Sequence, residues 1–206
     1  MELINDKDIF ATLIKNARFD DADIFGKKVS SIEISNADLS RVCFRKTLFE
    51  NCKFINCIFE KTDFIDGLNK VCDFSGCQFE TAYFRNNNFD ACKVLGISMN
   101  DSILKESTIH GSNFQMASFH KTKFEKMKIV LSDFSHSHIN ECTLKDLRAA
   151  NTNFFQSAFF KTPLKDMDFR TCQIEGIATT IPELKGIIVN QFQAAELSRL
   201  LGVVIR

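Results

Sequence analysis

Large apolar residues recur along this chain with a period of five. Phe44, Phe49, Phe54, Phe59, Phe64, Phe74, Phe79, Phe84 and Phe89 stand at multiples of five residues. That spacing is neither the 3.6 residues of a helix nor the two of a strand, so an internal repeat is the first reading. The register holds through 32 central positions from Phe19 to Ile174, of which 17 are Phe and 13 are Ile, Leu, Val or Met. Only Asn69 and Ala149 depart from it, and no insertion shifts the phase. The site two residues before each centre is small: 24 of 33, from Ala17 to Ile177, are Ala, Ser, Thr, Cys or Gly. A large and a small side chain thus point inward in turn. Polar residues such as Asp38, Asp63, Asp73, Asn88, Asn113, Asp133, Asn153 and Asp168 precede the large one. Each unit reads as a short extended edge followed by a corner.

The units Asn36-Ala37-Asp38-Leu39-Ser40, Lys61-Thr62-Asp63-Phe64-Ile65 and Gly111-Ser112-Asn113-Phe114-Gln115 resemble the A(D/N)LXX consensus of pentapeptide repeat proteins. The resemblance spans most of the chain. It implies an all-β solenoid, a right-handed quadrilateral parallel β-helix with four units per coil. About eight coils at about 4.8 Å each would make a rod of roughly 40 Å. The expected organisation is an N-terminal cap over residues 1–16, the β-helix over 17–180, and a C-terminal cap and dimerisation module over 181–206.

Local departures carry their own expectations. At the N-terminus Ile4, Ile9 and Ile14 keep the five-residue phase while Phe10, Leu13 and Ile14 offer near-helical spacing, so the form of the cap stays open. Lys27 and Asn87 fall on small inward sites, where burying a polar group without a partner is costly, so those corners are expected to deform. At Asp66-Gly67-Leu68-Asn69 a bulge that turns Leu68 inward in place of Asn69 is predicted. Pro163, just before the centre Leu164, removes an N–H from a ladder. Phe155 and Phe160 point outward on neighbouring faces and suggest a contact surface. After Ile177 the repeat fades, and a helix is predicted from an Asn190 cap with Gln193 three residues on. Leu197, Leu200 and Leu201 form its stripe, Gly202 ends it, and Val203-Val204-Ile205 is read as a short strand.

Composition removes several function classes. Seven of the eight cysteines, Cys52, Cys57, Cys72, Cys77, Cys92, Cys142 and Cys172, lie on the small inward site, at multiples of five rather than the short gaps of zinc ligands. They read as compact core residues and Cys43 as the one candidate exposed thiol. His110, His120, His136 and His138 map outward without a ligand spacing. No catalytic constellation, metal site, cofactor motif, basic nucleic-acid stripe, signal peptide or membrane span is visible, and free thiols fit the cytoplasm.

Val94-Leu95-Gly96-Ile97, Asp146-Leu147-Arg148-Ala149-Ala150-Asn151, Gln191-Phe192-Gln193-Ala194 and Leu200-Leu201-Gly202-Val203-Val204-Ile205 resemble segments of Qnr-type quinolone-resistance proteins. That resemblance implies a non-catalytic DNA mimic. It would bind DNA gyrase and topoisomerase IV, protect them from fluoroquinolones, dimerise through its C-terminus, and touch neither nucleic acid nor membrane directly. The implied dimer interface is Leu184, Phe192, Leu197, Leu200, Leu201, Val203, Val204 and Ile205. Sorting outward residues by face, with four sides assumed, puts eleven carboxylates against seven cations on the faces of Ile34 to Ile174 and Phe19 to Phe159, a net of minus four. Glu33, Asp38, Glu60, Asp73, Glu80, Asp101, Asp133 and Glu141 are the candidate acidic determinants there. The whole chain is neutral, with 26 basic and 26 acidic residues, and its unbroken register leaves no room for projecting loops. A repeat scaffold for some other protein partner therefore stands as the alternative.

Overall fold

A computed structural model describes residues 1–203. The chain opens with β1 (Glu2–Ile4) and α1 (Lys7–Asp20), then winds into a parallel β-solenoid. Phe44 pairs with Phe64 and Phe64 with Phe84, an offset of 20 residues. Four pentapeptides therefore close one turn, which the five-residue period alone did not specify. One face is a seven-stranded sheet from Ile24–Phe25 to Thr143–Lys145, and the next an eight-stranded sheet from β1 to Arg148–Ala150. The third face begins with Glu33–Ser35 on Lys53–Ile55 and continues as single bridges to Asn153↔Gln173; the fourth consists of single bridges from Asp38↔Ile58 to Ala158↔Ala178. Seven strands on the first face are separated by six full turns, fewer than the roughly eight coils expected.

Pro163 explains where that face stops. The N–H before each centre donates to the small residue of the previous coil, as Thr143 does to Thr122 at 3.1 Å. Pro163 has no N–H to give Cys142, so the strand ladder ends below it while Leu164 stays buried. Corners are made by the residue two past each centre, held in the left-handed region from Ser31 at φ 56° to Asp166 at φ 63°. Most are not glycine, and Val71 and Thr81 are β-branched, so the corners absorb a steric cost that stacking must outweigh.

The inward residues form two kinds of column. Phe64 stacks on Phe84 and Phe59 on Phe79 with ring centroids 4.8 Å apart, while Phe44 meets Phe49 edge-on at 5.1 Å. Such aromatic pairs add about 0.5–1.5 kcal/mol each beyond burial. In the small columns a hydroxyl or thiol donates to the carbonyl of the centre one coil below: Thr162 to Ile139 at 2.7 Å, Ser157 to Phe134 at 2.6 Å, Cys77 to Phe54 at 3.0 Å. Cys, Ser and Thr thus stitch coils together, a role that compactness alone did not predict.

Three expectations are corrected. The helix α1 runs to Asp20, so Phe19 is no coil centre but 89% exposed, and Phe10 takes the end of the core instead. Asp6 makes this possible by capping the N–H groups of Asp8 and Ile9. No bulge turns Leu68 inward: Leu68 pairs in register with Leu48 and Asn88, and Asn69 is buried. Asn69 is tolerated because its amide donates to Asn87 at 2.7 Å and to the Asn88 carbonyl at 3.2 Å. Lys27 is not buried at a deformed corner; it sits in a regular strand with its ammonium on Glu2.

At the far end, Ile181–Leu184 forms a 3-10 turn and α2 (Gln191–Ser198) lies across the last coil. Its predicted cap is present. Asn190 accepts the N–H groups of Phe192 and Gln193 at 3.0 Å, and its own N–H donates to the Gln193 side chain at 2.9 Å. The Gln193 amide also donates to the carbonyls of Phe169 and Cys172 at 2.8 Å, closing the open edge. Val203 is not in a strand, and Val204 and Ile205 lie outside the described residues.

Candidate functional site

The outward columns decide what the surface can offer. A residue and its counterpart 20 positions on are neighbours across adjacent coils, and the sign of charge alternates along several such columns. Lys53 binds Glu33 at 3.3 Å, Lys93 binds Asp73 at 3.2 Å and Lys161 binds Glu141 at 2.9 Å. Arg18 of α1 reaches Asp38 at 2.9 Å and also donates to the Ser40 carbonyl at 2.7 Å. Glu60 is bound by its sequence neighbour Lys61 at 3.1 Å.

Five of the eight candidate carboxylates therefore carry a cation. Of the others, Asp133 accepts from Gln115 at 2.7 Å and from Asn153 at 3.1 Å, Glu80 accepts from the Ser98 hydroxyl, and Asp101 is an exposed corner residue. The Ser40 hydroxyl and N–H, with Arg18, hold the Asp38 carboxyl below the usual carboxylate range. Lys161 does the same for Glu141. Burial opposes the shift at Asp133, yet hydrogen bonds from Ser135, Gln115 and Asn153 leave its carboxyl lowered as well. These groups are ionised at neutral pH but largely compensated, so the two acidic faces project a weak field.

The structure divides the predicted dimer residues between two roles. Leu184 and Leu197 are half-buried and pack against the core. Leu200, Leu201 and Val203 are exposed at the end of the rod. Ile181, Pro182, Ile187 and Val189, which the sequence reading missed, line one apolar groove with Leu184, Leu197 and Leu201. Their signal was present in Val189, which keeps the five-residue phase with Leu184, and in Ile187, two residues before that centre. Phe192 is 77% exposed but lies apart, over Phe155, Gln173 and Glu175 on the third face. Phe155 is half-buried with its ring edge-on to His136, while Phe160 is exposed on the fourth face.

Cys43 is half-buried, and its thiol is pushed up to about 12 by burial and by the Asp23 carboxylate that it faces. It is therefore a protonated, slow thiol at neutral pH. Cys142 is likewise pushed up to about 12 by burial. Among the described residues no three His, Cys, Asp or Glu side chains are grouped to hold a metal ion. No helix there is long and apolar enough to cross a membrane.

A solenoid of stacked five-residue units, with Phe centres, small donors and left-handed corners, defines the class: a parallel β-solenoid of pentapeptide repeats. A family model described as pentapeptide repeats matches this chain in eight copies, with residues 33–66 matched. Among solved structures, a trypsin-treated form of QnrB1, a plasmid-mediated fluoroquinolone resistance protein, superposes with a TM-score of 0.57 at 18% identity, covering 89% of this chain and 94% of that one. A second trypsin-treated form gives a TM-score of 0.47 at 18% identity, over 87% and 99% of the two chains. HetL, a pentapeptide repeat protein involved in heterocyst differentiation regulation from the cyanobacterium Nostoc, gives 0.39 at 12% identity, over 91% and 98%. At these identities the first likeness speaks to fold alone. No curated protein sequence matches the chain significantly.

Proposed function

We propose that this chain is a Qnr-like, non-catalytic rod that acts in the cytoplasm as a homodimer, binding DNA gyrase and topoisomerase IV and protecting them from fluoroquinolones. The observation that carries the reading is the shared fold with a fluoroquinolone resistance protein over nearly the whole length of both chains. The apolar groove at Ile181, Leu184, Ile187 and Leu201 supports a second copy at the C-terminal end. Glu80, Asp101 and Asp133, which lack a cation partner among the described residues, are the strongest acidic contacts for a DNA-binding surface on the enzyme.

A second reading, a scaffold for another protein with no topoisomerase role, is favoured by one observation. The ion pairs along the columns cancel much of the negative charge that a phosphate mimic needs, since a duplex carries one charge per about 1.7 Å. A gyrase supercoiling assay with ciprofloxacin separates the two. The purified protein is expected to restore supercoiling as it is titrated in. Absence of any effect on gyrase and topoisomerase IV would sink the first reading in favour of the second.

A further inference from the structure

One edge of the rod gathers cations that no carboxylate neutralises. Signs alternate in several columns, with Glu33 against Lys53, Asp73 against Lys93 and Glu106 against Lys126, whereas Arg85 and Lys105 are like-charged register partners of which Lys105 is met by Glu125 at 3.7 Å. At the corner between the seven- and eight-stranded sheets, Lys128 and Arg148 are direct register partners. Both are exposed, and among the described residues neither joins an ion pair within 4.0 Å. Lys145 stands in register with Glu125, but that carboxylate is taken by Lys105 at 3.7 Å. Lys123 has Ile103 and Thr143 as its register partners. Segments 123–130 and 143–150 together hold Lys123, Lys126, Lys128, Lys145 and Arg148 against Glu125 and Asp146; with Lys126 met by Glu106, four cations remain against those two carboxylates. Like charges directly opposite on a ladder are destabilising. The chain keeps this exposed stack at a cost to its own stability.

We infer that this edge binds the phosphate backbone of duplex DNA, an interaction beyond the proposed topoisomerase binding and opposite to the sequence expectation of no nucleic-acid contact. The rigid coils hold the cations about 4.8 Å apart along the rod and on both sides of a corner, forming a ridge rather than a pocket. Its register neighbours are Thr108 and Thr143, with no aromatic anchor of the kind that dominates protein–protein hot spots. A ridge of unpaired cations draws its affinity from counterion release, which is sequence-independent and strongly salt-dependent. The cations escaped notice in the sequence because partners 20 residues apart make no basic run.

The test is fluorescence anisotropy of a labelled duplex of about 20 base pairs titrated with the full-length protein between about 50 and 200 mM salt. No topoisomerase is present, so the result is independent of the proposed function. Salt-sensitive binding is expected. The double variant Lys128→Gln/Arg148→Gln should weaken it about tenfold at low salt and flatten the slope of log K against log salt by about 2, at about 0.9 per lost phosphate contact. The control Lys53→Gln/Lys93→Gln, with the same charge change on another face, should leave both unchanged. Absent or salt-indifferent binding by the wild type overturns the inference, as does an equal loss in the two double variants. Displacement of the duplex by polyglutamate at matched charge also overturns it, reassigning the ridge to an acidic protein. Both substituted pairs are exposed, and a retained cooperative thermal transition confirms that the variants are folded.

Discussion

Asn69 sits where the register asks for Phe, and the reason it can lies in two other residues. Asn87 takes its amide proton, and Gly67 leaves the room: a Cβ on Gly67 would stand 2.5 Å from the Asn87 amide nitrogen and 2.8 Å from the Thr47 carbonyl. The three form one buried unit whose remaining weakness is the Asn69 side-chain oxygen Oδ1, which has no hydrogen-bond partner. Asn87→Ala alone should therefore destabilise the protein by about 1–3 kcal/mol by leaving one N–H of the buried Asn69 amide unpaired, the other keeping the Asn88 carbonyl. Adding Asn69→Leu should recover that loss or better it, because an apolar pair then replaces a half-satisfied one. Thermal denaturation of the single and double variants measures this, and a neutral single variant would show that the amide pair contributes nothing. From the sequence, Asn69 and Asn87 each looked like an isolated fault. Their compensation required knowing that residues 18 apart meet inside one coil step.

At the scale of elements, the two ends are built differently for one purpose, to cover exposed ladder edges. The N-terminal end adds β1 to the sheet and lays α1 over the core, where Phe10 contacts Phe44, Phe49 and Phe54 with centroids 6.2, 6.3 and 6.0 Å away. Phe10→Ala removes the last aromatic layer and should cost about 3–5 kcal/mol, the range for a fully buried Phe. The variant should melt markedly lower by circular dichroism. A shift of only a degree or two would mean that α1 is a loose cover rather than part of the core. The competition between helix and coil over residues 1–20 was visible as two overlapping periods. What decided it was the Asp6 cap together with space for Phe10 at the open end, a tertiary fact. The C-terminal helix was legible because its capping box is local chemistry.

For the whole molecule, the open question is assembly. The apolar groove at the C-terminal end predicts a dimer, and removing Asn190 to Arg206 should give a monomer in analytical ultracentrifugation or an insoluble chain. Since that deletion also uncovers the Phe169 and Cys172 carbonyls, Leu201→Glu in the full chain is the cleaner variant: Leu201 is 62% exposed and its exchange leaves the cap intact. An unchanged dimer in both variants would refute this interface. The sequence by itself determined the repeat, its phase and the Phe and small columns, because a solenoid core is built from positions that recur at one fixed local spacing. The structure decided how many units close a turn, and from that which charges meet. Every ion pair along a column and the uncancelled stack of Lys128 and Arg148 depend on a 20-residue offset, a property of coil closure that no five-residue window contains.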